Sequence, residues 1–389
     1  MNRKRLFLID AYALIFRGYY AFIKNPRINS KGLDTSAILG FTNSLFDVIK
    51  RENPDYLAVC FDKGGSQDRL EIFSEYKANR DETPEAIKIA VPFIEQILKA
   101  LNIPVVVKKG YEADDIIGTL SKKAEQEGYQ TFMVTPDKDF AQLVTENIFM
   151  YKPMFGGGYE VWGVDEVKNK FEVTDPIQVI DFLGMKGDSA DNIPGLPGVG
   201  DKTAKKFIAE YGSMEKLLAN TDKLKGKLKE KIETNKELGL LSKKLATIIL
   251  DVPVDFSPNE FKFKVTDLLE VKDVFRELEF RRLIESVDRI FNINKDDEEL
   301  EIKSESTIQT PVKNPGSGQF TLFDETNTFE KPKIFKRNNL SNLSNYYQTI
   351  DSSFGLKLLL KKLNLNSSVS YKLLSNKVCL LYTSDAADE

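Results

Sequence analysis

The sequence predicts an α/β protein, a parallel sheet with helices on both faces, followed by a mostly helical segment. Three observations carry this. Short apolar runs alternate with longer amphipathic stretches over the first 150 residues, the pattern of repeated βα units. An acid follows each of those runs, at the carboxyl end of a strand, where sites form in open parallel sheets. Beyond residue 165 the pattern turns helical and is broken once, by a Gly/Pro-rich stretch from Asn192 to Gly200.

The first strand is Leu6–Ile9, an apolar run closed by Asp10. Ala37–Arg51 follows as an amphipathic helix, then Tyr56–Phe61 as a second buried strand closed by Asp62. Pro84–Leu101 reads as a helix and Pro104–Val107 as the third strand. Ala113–Glu127 reads as a helix that opens on Glu112, Asp114 and Asp115. Gln130–Thr135 is the fourth strand, followed by Asp137 and Asp139. These elements define a first domain over residues 1–164, with a helical segment over 165–291. From Lys202 to Lys244 there are twelve Lys against six Asp+Glu, so this stretch is locally basic. Residues 292–335 are charged, Ser/Thr/Pro/Gly-containing and weakly apolar, a linker by composition. Residues 336–375 recover enough periodicity, as in Tyr346–Leu363, for one strand and one helix but not for a core. Residues 376–389 show no continuation and read as a non-native tail.

Composition narrows the chemistry. The chain has 389 residues, 55 Lys+Arg against 59 Asp+Glu, two Cys and no His. Without imidazole there is no Ser-His-Asp triad, Cys-His dyad, HExxH zinc site or His-ligated haem. Acid–base work must fall to carboxylates, Lys, Tyr or a metal-bound water. Cys60 and Cys379 are too few for a four-cysteine zinc site and too far apart in sequence to suggest a disulfide framework, so a reducing cytoplasm is expected. The apolar runs fall far short of the roughly 20 residues of a membrane span, so no membrane partner is expected.

The acids are the most informative feature. Four strands deliver Asp10, Asp62, Glu112, Asp114, Asp115, Asp137 and Asp139 to one sheet edge, and Asp188 and Asp191 precede the Gly-rich turn. Two like charges at ~4 Å repel by about 4 kcal/mol at an effective dielectric of 20, so such a cluster cannot stand bare. Divalent cations remove the conflict. A donor set of oxygen alone indicates Mg²⁺, with Mn²⁺ as a substitute, rather than zinc. Two ions about 4 Å apart can activate a water and stabilise the leaving oxygen of a phosphodiester. Any one of these acids, Asp115 especially, could instead be an ordinary residue of a first helical turn, favoured by the helix dipole. Acids at all four strand ends fit that blander account poorly.

Two further stretches suit nucleic acid. Gly195-Leu196-Pro197-Gly198-Val199-Gly200-Asp201-Lys202-Thr203-Ala204 resembles a helix-hairpin-helix turn. Its glycines would let backbone N–H groups approach phosphates at a helix N-terminus, with Lys202, Lys205 and Lys206 extending the positive surface. Tyr76-Lys77-Ala78-Asn79-Arg80 sets an aromatic beside two cations, a pairing suited to base stacking with phosphate contact. Read alone, the first is a bare interhelical turn and the second a solvated helix face. Arg17 lies two helical turns after Asp10 and could point back towards the acids; by itself it is a surface Arg.

In order and spacing these pieces resemble the 5′-nuclease family, most closely the N-terminal 5′→3′ exonuclease domain of bacterial DNA polymerase I. The matching stretches are LFLIDAYALIFR (6–17), VCFD (59–62), YKANR (76–80), GYEADDIIGTL (110–120), TPDKDFAQLV (135–144), GMKGDSADNIPGLPGVGDKTA (184–204) and FRELEF (275–280). The resemblance implies a PIN-like parallel-sheet core with a helical arch at about residues 65–100 and a helix-hairpin-helix subdomain. It implies that Asp10, Asp62, Glu112, Asp114, Asp115, Asp137, Asp139, Asp188 and Asp191 bind two Mg²⁺ ions. Lys77 would stabilise charge on the attacked phosphate, Arg17 and Arg80 would steer it, and Tyr76 would stack on the terminal base. Gly195, Gly198, Gly200, Lys202, Thr203, Lys205 and Lys206 would grip the duplex, with a K⁺ ion on backbone carbonyls. The expected partners are DNA 5′ ends, nicks and flaps, and RNA primers on DNA, acted on by a monomer in the bacterial cytoplasm among nucleoid DNA.

Residues 336–375 resemble only the opening strand and helix of a following 3′→5′ exonuclease-like domain, and no polymerase motif is present, so the sequence reads as a truncated polymerase I. A PIN-like single-strand ribonuclease would share the acids but not the hairpin. A non-catalytic DNA-binding module would share the hairpin but gain nothing from clustered acids.

Overall fold

The computed structural model describes residues 3–154, 157–265 and 267–291, together with two short strands at 370–374 and 377–381. The chain divides into two compact units, Met1–Ile308 and Gln309–Glu389. The expected linker at 292–335 and the helix within Tyr346–Leu363 lie outside the described residues.

The first unit opens with β1 (Arg5–Asp10), α1 (Ala11–Phe22), α2 (Ser36–Glu52), β2 (Tyr56–Phe61), α3 (Gln67–Ile72), α4 (Glu85–Ala100), β3 (Val105–Val107), α5 (Ala113–Gln126) and β4 (Gln130–Val134). It continues with β5 (Ile148–Pro153), β6 (Tyr159–Trp162), α6 (Val164–Phe171) and α7 (Val179–Lys186). Then come α8 (Asp201–Tyr211), α9 (Met214–Ala219), α10 (Gly226–Thr234), α11 (Lys236–Ala246), α12 (Pro258–Phe261), α13 (Leu269–Glu277) and α14 (Arg281–Phe291). In the second unit β7 (Ser370–Leu374) pairs antiparallel with β8 (Lys377–Leu381), so part of the stretch read as a tail is paired strand.

The six strands of the first unit run in the order β3-β2-β1-β4-β5-β6. All neighbours pair parallel except β6, which returns antiparallel on β5. The carboxyl ends of β1, β2, β3 and β4 therefore share one edge, as the sequence predicts. The strands are apolar on both sides because helices cover both faces. Leu6, Leu8, Cys60 and Met133 turn towards α5 and join the core of the helical segment. Phe7, Ile9, Val59 and Val134 turn the other way, towards α1, α2 and α4. Period-two alternation thus assigns each strand residue to one of two cores.

Two packing details bear on the site. Gly18 of α1 and Gly40 of α2 touch backbone to backbone: a Cβ added at Gly40 would lie 2.3 Å from Gly18 Cα. That contact fixes α1, which begins at the first acid. The FRELEF stretch is structural. Phe275, Leu278 and Phe280 are buried, and Glu279, held at φ 63°, accepts a hydrogen bond from the Ser30 N–H at 3.0 Å.

Candidate active site

Each acid is placed by the end of its own element. Asp10 caps α1, accepting from the Ala13 N–H at 3.1 Å and from the Thr135 hydroxyl at 3.0 Å. Asp62 follows β2 and accepts from the Ala113 N–H at 2.5 Å, which ties it to the start of α5. Glu112 stands at the N-cap of α5 with Asp114 and Asp115 in its first turn. Glu112, Asp114 and Asp115 each bring a carboxylate oxygen within 4.8 Å of the others. Asp137 leads into a 3-10 turn at Lys138–Leu143 and accepts from the Asp139 N–H at 3.0 Å. Asp188 and Asp191 come from the loop after α7. That loop is folded back by paired hydrogen bonds between Asp188 and Ile193 and by left-handed Gly187 and Gly195.

Electrostatics shows that these acids form one constellation. Burial, then the charge of nearby Asp62, pushes the Asp10 carboxyl up to about 7. Burial and then Asp137 push Asp139 up to about 7. Burial and then Asp115 drive Asp114 well above the carboxylate range. Asp62 and Asp137 are raised chiefly by burial, with Glu112 adding to the first and Asp191 and Asp188 to the second. Asp188 is the exception: burial raises it, but the Lys138 ammonium at 2.6 Å and the Ala190 N–H outweigh that, and it falls below its usual value. Asp139 Oδ1 is buried with no hydrogen-bond partner among the described residues. Hard oxygen donors that crowd until burial and like charge push Asp10, Asp114 and Asp139 up, one of them accepting no hydrogen bond, are what a divalent oxophilic cation fits.

The cations sit differently from expectation in part. Lys77 Nζ donates to Glu112 at 2.7 Å and lies 3.6 Å from Asp191. Its backbone is left-handed, φ 56°, an uncommon state for a side-chain-bearing residue, held by a hydrogen bond from its N–H to the Asp191 carbonyl at 3.0 Å. Arg80 pairs with the Asp191 carboxylate. Two of the three expected cations, Lys77 and Arg80, therefore reach the acids.

Tyr76 does not offer its ring to a base. It is only 5% exposed, packed in the first core, and its hydroxyl donates to Glu112 at 3.0 Å. Apolar neighbours plus one buried acceptor outcompete solvent for an amphipathic ring. Arg17 does not turn to the acids either; its guanidinium donates to the Met154 carbonyl at 2.5 Å. The expected arch at about 65–100 is also only partly separate. α4 buries Ile87, Ala90, Ile94, Ile97 and Leu98 in the second core, mainly against α2 and α13. The stretch between α3 and α4 is pinned to the Asp188–Asn192 loop by Asn79 to Ser189 and Asn192 to Glu75 hydrogen bonds.

The hairpin divides by role. Gly195 is structural, since a Cβ there would lie 2.5 Å from the Gly187 nitrogen and its N–H already donates to the Ser242 hydroxyl at 2.9 Å. Gly198 is left-handed, φ 88°, and Gly200 caps α8 with open space beside it. Thr203 follows in the first turn of α8. Lys202 and Lys206 are exposed on that helix. Lys205 is paired with Glu172 at 3.0 Å.

Two functional-edge residues escape a reading of the sequence. Lys138 neutralises Asp188. Arg69, seven residues before Tyr76, is buried against Glu112 and Asp115. Its partners are 43 to 178 positions away, so no local pattern could show it.

Known proteins agree with this architecture. Residues 5–172 match the family model "5'-3' exonuclease, N-terminal resolvase-like domain", and residues 174–268 match "5'-3' exonuclease, C-terminal SAM fold". A 5'-3' exonuclease of Aquifex aeolicus is 38% identical over 288 residues, covering 74% of this chain and 96% of that protein. DNA polymerase I of Bacillus caldotenax is 38% identical over 289 residues, or 74% of this chain, but the match spans only 32% of that longer protein. The fold is shared with a bacteriophage T5 flap endonuclease solved in a pseudo-enzyme-product complex with DNA and metal ions. That likeness has a TM-score of 0.51 and 22% identity, over 71% of this chain and 100% of that one. Among the described residues no helix is long and apolar enough to cross a membrane. By sequence match over nearly the whole of a curated relative, and by fold, this chain belongs to the 5'-3' exonuclease family of nucleases.

Proposed function

We propose that the chain is a Mg²⁺-dependent, structure-selective 5′ nuclease that hydrolyses phosphodiesters at DNA 5′ ends, nicks and flaps, RNA primers on DNA included. The observation that carries this reading is the convergence of carboxylates from separate strand ends and one loop on a single edge, where Asp139 Oδ1 is buried and accepts no hydrogen bond among the described residues. Two Mg²⁺ ions, or Mn²⁺, would be held by Asp10, Asp62, Glu112, Asp114, Asp137, Asp139, Asp188 and Asp191; Asp115, the ninth acid expected from the sequence, is already paired with Arg69. When bound, they supply polarisation of the scissile phosphate and stabilisation of its leaving oxygen.

The chain's own groups do the rest. Lys77 and Arg80 stand on the rim of the acids and neutralise charge on an arriving phosphate. Lys202 and Lys206, the Gly198–Gly200 backbone, the Thr203 hydroxyl and the N-terminus of α8 take duplex phosphates without reading sequence. A K⁺ ion on the carbonyls of this hairpin belongs to the same reading. So do a monomeric enzyme and a place among bacterial DNA, since the curated relatives named above are bacterial.

Purified chain is expected to release a short 5′ fragment from a 5′-labelled flap duplex in Mg²⁺ and to stop in EDTA. Intact substrate in Mg²⁺, with duplex binding retained, would leave a DNA-binding module in its place.

A further inference from the structure

Arg69 is 4% exposed at its side chain, and all five of its guanidinium donors are used. Nη1 donates to Asp115 Oδ2 at 2.8 Å and to Glu112 Oε2 at 3.1 Å. Nη2 donates to Asp115 Oδ1 at 2.8 Å and to the Thr247 carbonyl at 3.0 Å. Nε donates to the Leu245 carbonyl at 3.1 Å. Asp115 is equally filled. Its Oδ1 also accepts from the Ile249 N–H at 2.8 Å, and its Oδ2 accepts from the Glu112 N–H at 3.3 Å. A carboxylate has about four lone-pair sites, so none is left over. Asp139 is the opposite case: among the described residues its buried Oδ1 accepts no hydrogen bond and has only the Lys138 ammonium, 3.8 Å away, beside it.

We propose that Arg69 is a positioning residue of the active site and that Asp115 is its anchor rather than a metal ligand, the pair locking Glu112 against the end of α11. This rests on the nuclease reading and deepens it. Leu245 and Thr247 lie at the C-terminal end of α11, where carbonyls lack helical partners. Ile249 follows them. The ion pair therefore fastens the helical segment that carries the hairpin to the sheet edge that carries the acids. A planar fork bonding two carboxylates and two carbonyls at once is a geometry that Lys cannot reproduce. Arg69 touches neither the Lys138–Asp188 pair nor Asp10, so its action on the site passes through Glu112 and the first turn of α5.

The test is a cycle on cation affinity, read by the spectroscopic signal of free Mn²⁺ with the full chain and no DNA. The variants are Arg69→Lys, Asp115→Asn, Asp114→Asn and the double variants Arg69→Lys/Asp115→Asn and Arg69→Lys/Asp114→Asn. Arg69→Lys and Asp115→Asn are each expected to weaken Mn²⁺ binding roughly tenfold, and the two together no more than about threefold beyond either, because they break one device. Asp114→Asn is expected to multiply with Arg69→Lys. Losses that multiply for Arg69→Lys/Asp115→Asn, to about a hundredfold, would overturn the inference, as would unchanged binding by Arg69→Lys. If Arg69→Lys does not fold, Asp115→Asn alone decides: an unchanged number of Mn²⁺ sites supports the anchor role, and the loss of a site makes Asp115 a ligand. A wild-type chain that binds no Mn²⁺ would overturn this inference and the metal reading together.

Discussion

Asp10→Asn should stabilise the metal-free protein at alkaline pH while abolishing its cleavage. The Asp10 carboxyl is raised from 3.8 to about 7, first by burial and then by Asp62. A carboxyl raised on folding contributes stability that is complete below 3.8 and lost as pH climbs through about 7. Three pK units correspond to about 4 kcal/mol. Asp10 is only partly closed off at the sheet edge, and solvent screening leaves about 2–3 kcal/mol. Asn keeps the hydrogen bond from the Ala13 N–H and reverses the other, its amide donating to the Thr135 hydroxyl, but carries no charge. In EDTA at pH 8 the variant should therefore melt roughly 5–10 °C above wild type. At pH 5.5 roughly half of that gain should remain, and near pH 4 none. Saturating Mg²⁺ should remove the gain at pH 8, because the cation relieves in wild type the same repulsion that Asn removes. Differential scanning of both proteins across pH, with EDTA and with Mg²⁺, checks this. A variant that melts below wild type in EDTA at pH 8, or a gain unchanged between pH 8 and pH 4, would refute the crowding account of the acids.

Other expectations follow from single contacts. Lys202→Glu with Lys206→Glu should weaken duplex binding and lower the slope of log affinity against log salt by about 2, seen in anisotropy titrations; an unchanged slope would mean the hairpin does not hold phosphates. Tyr76→Phe should cost about 1.5–3 kcal/mol, because buried Glu112 loses a donor, yet leave DNA affinity within about twofold. A silent Tyr76→Phe beside a Tyr76→Ala that weakens DNA binding would restore a base-stacking role. Gly40→Ala should destabilise by about 1–3 kcal/mol or more and reduce cleavage, since its methyl meets the backbone of Gly18 and displaces the helix that Asp10 caps. A melting temperature equal to wild type would show that α1 and α2 can part without harm.

The sequence makes the acidic edge legible because strand ends and helix starts are local features. Asp10, Asp62 and Asp137 each stand just past a short apolar run, Glu112 stands where a helix starts, and a parallel sheet then gathers them without further information. The two strands that escaped notice, β5 and β6, lie towards the far edge. Lys152 and Pro153 interrupt the first, and Glu160 and Val161 face solvent in the second, so neither reads as a buried run. Side-chain direction is where sequence reasoning fails. Tyr76 and Arg17 carry the right chemistry for a substrate, but a core pocket beside Glu112 takes one and the Met154 carbonyl takes the other. Arg69 is the converse, a residue of no motif that long-range contacts make the centre of a buried ion pair. The acids are set by where elements end, and these three side chains by what lies opposite them in space.

The central claim is that the carboxylates at the sheet edge hold divalent cations for phosphodiester hydrolysis. Crystals soaked in Mn²⁺ and measured at the manganese absorption edge test it most directly. Anomalous peaks among Asp10, Asp62, Glu112 and Asp114 and among Asp137, Asp139, Asp188 and Asp191, lost with EDTA, are the expected result. An edge without peaks, in crystals that bind Mn²⁺ elsewhere or not at all, would contradict it.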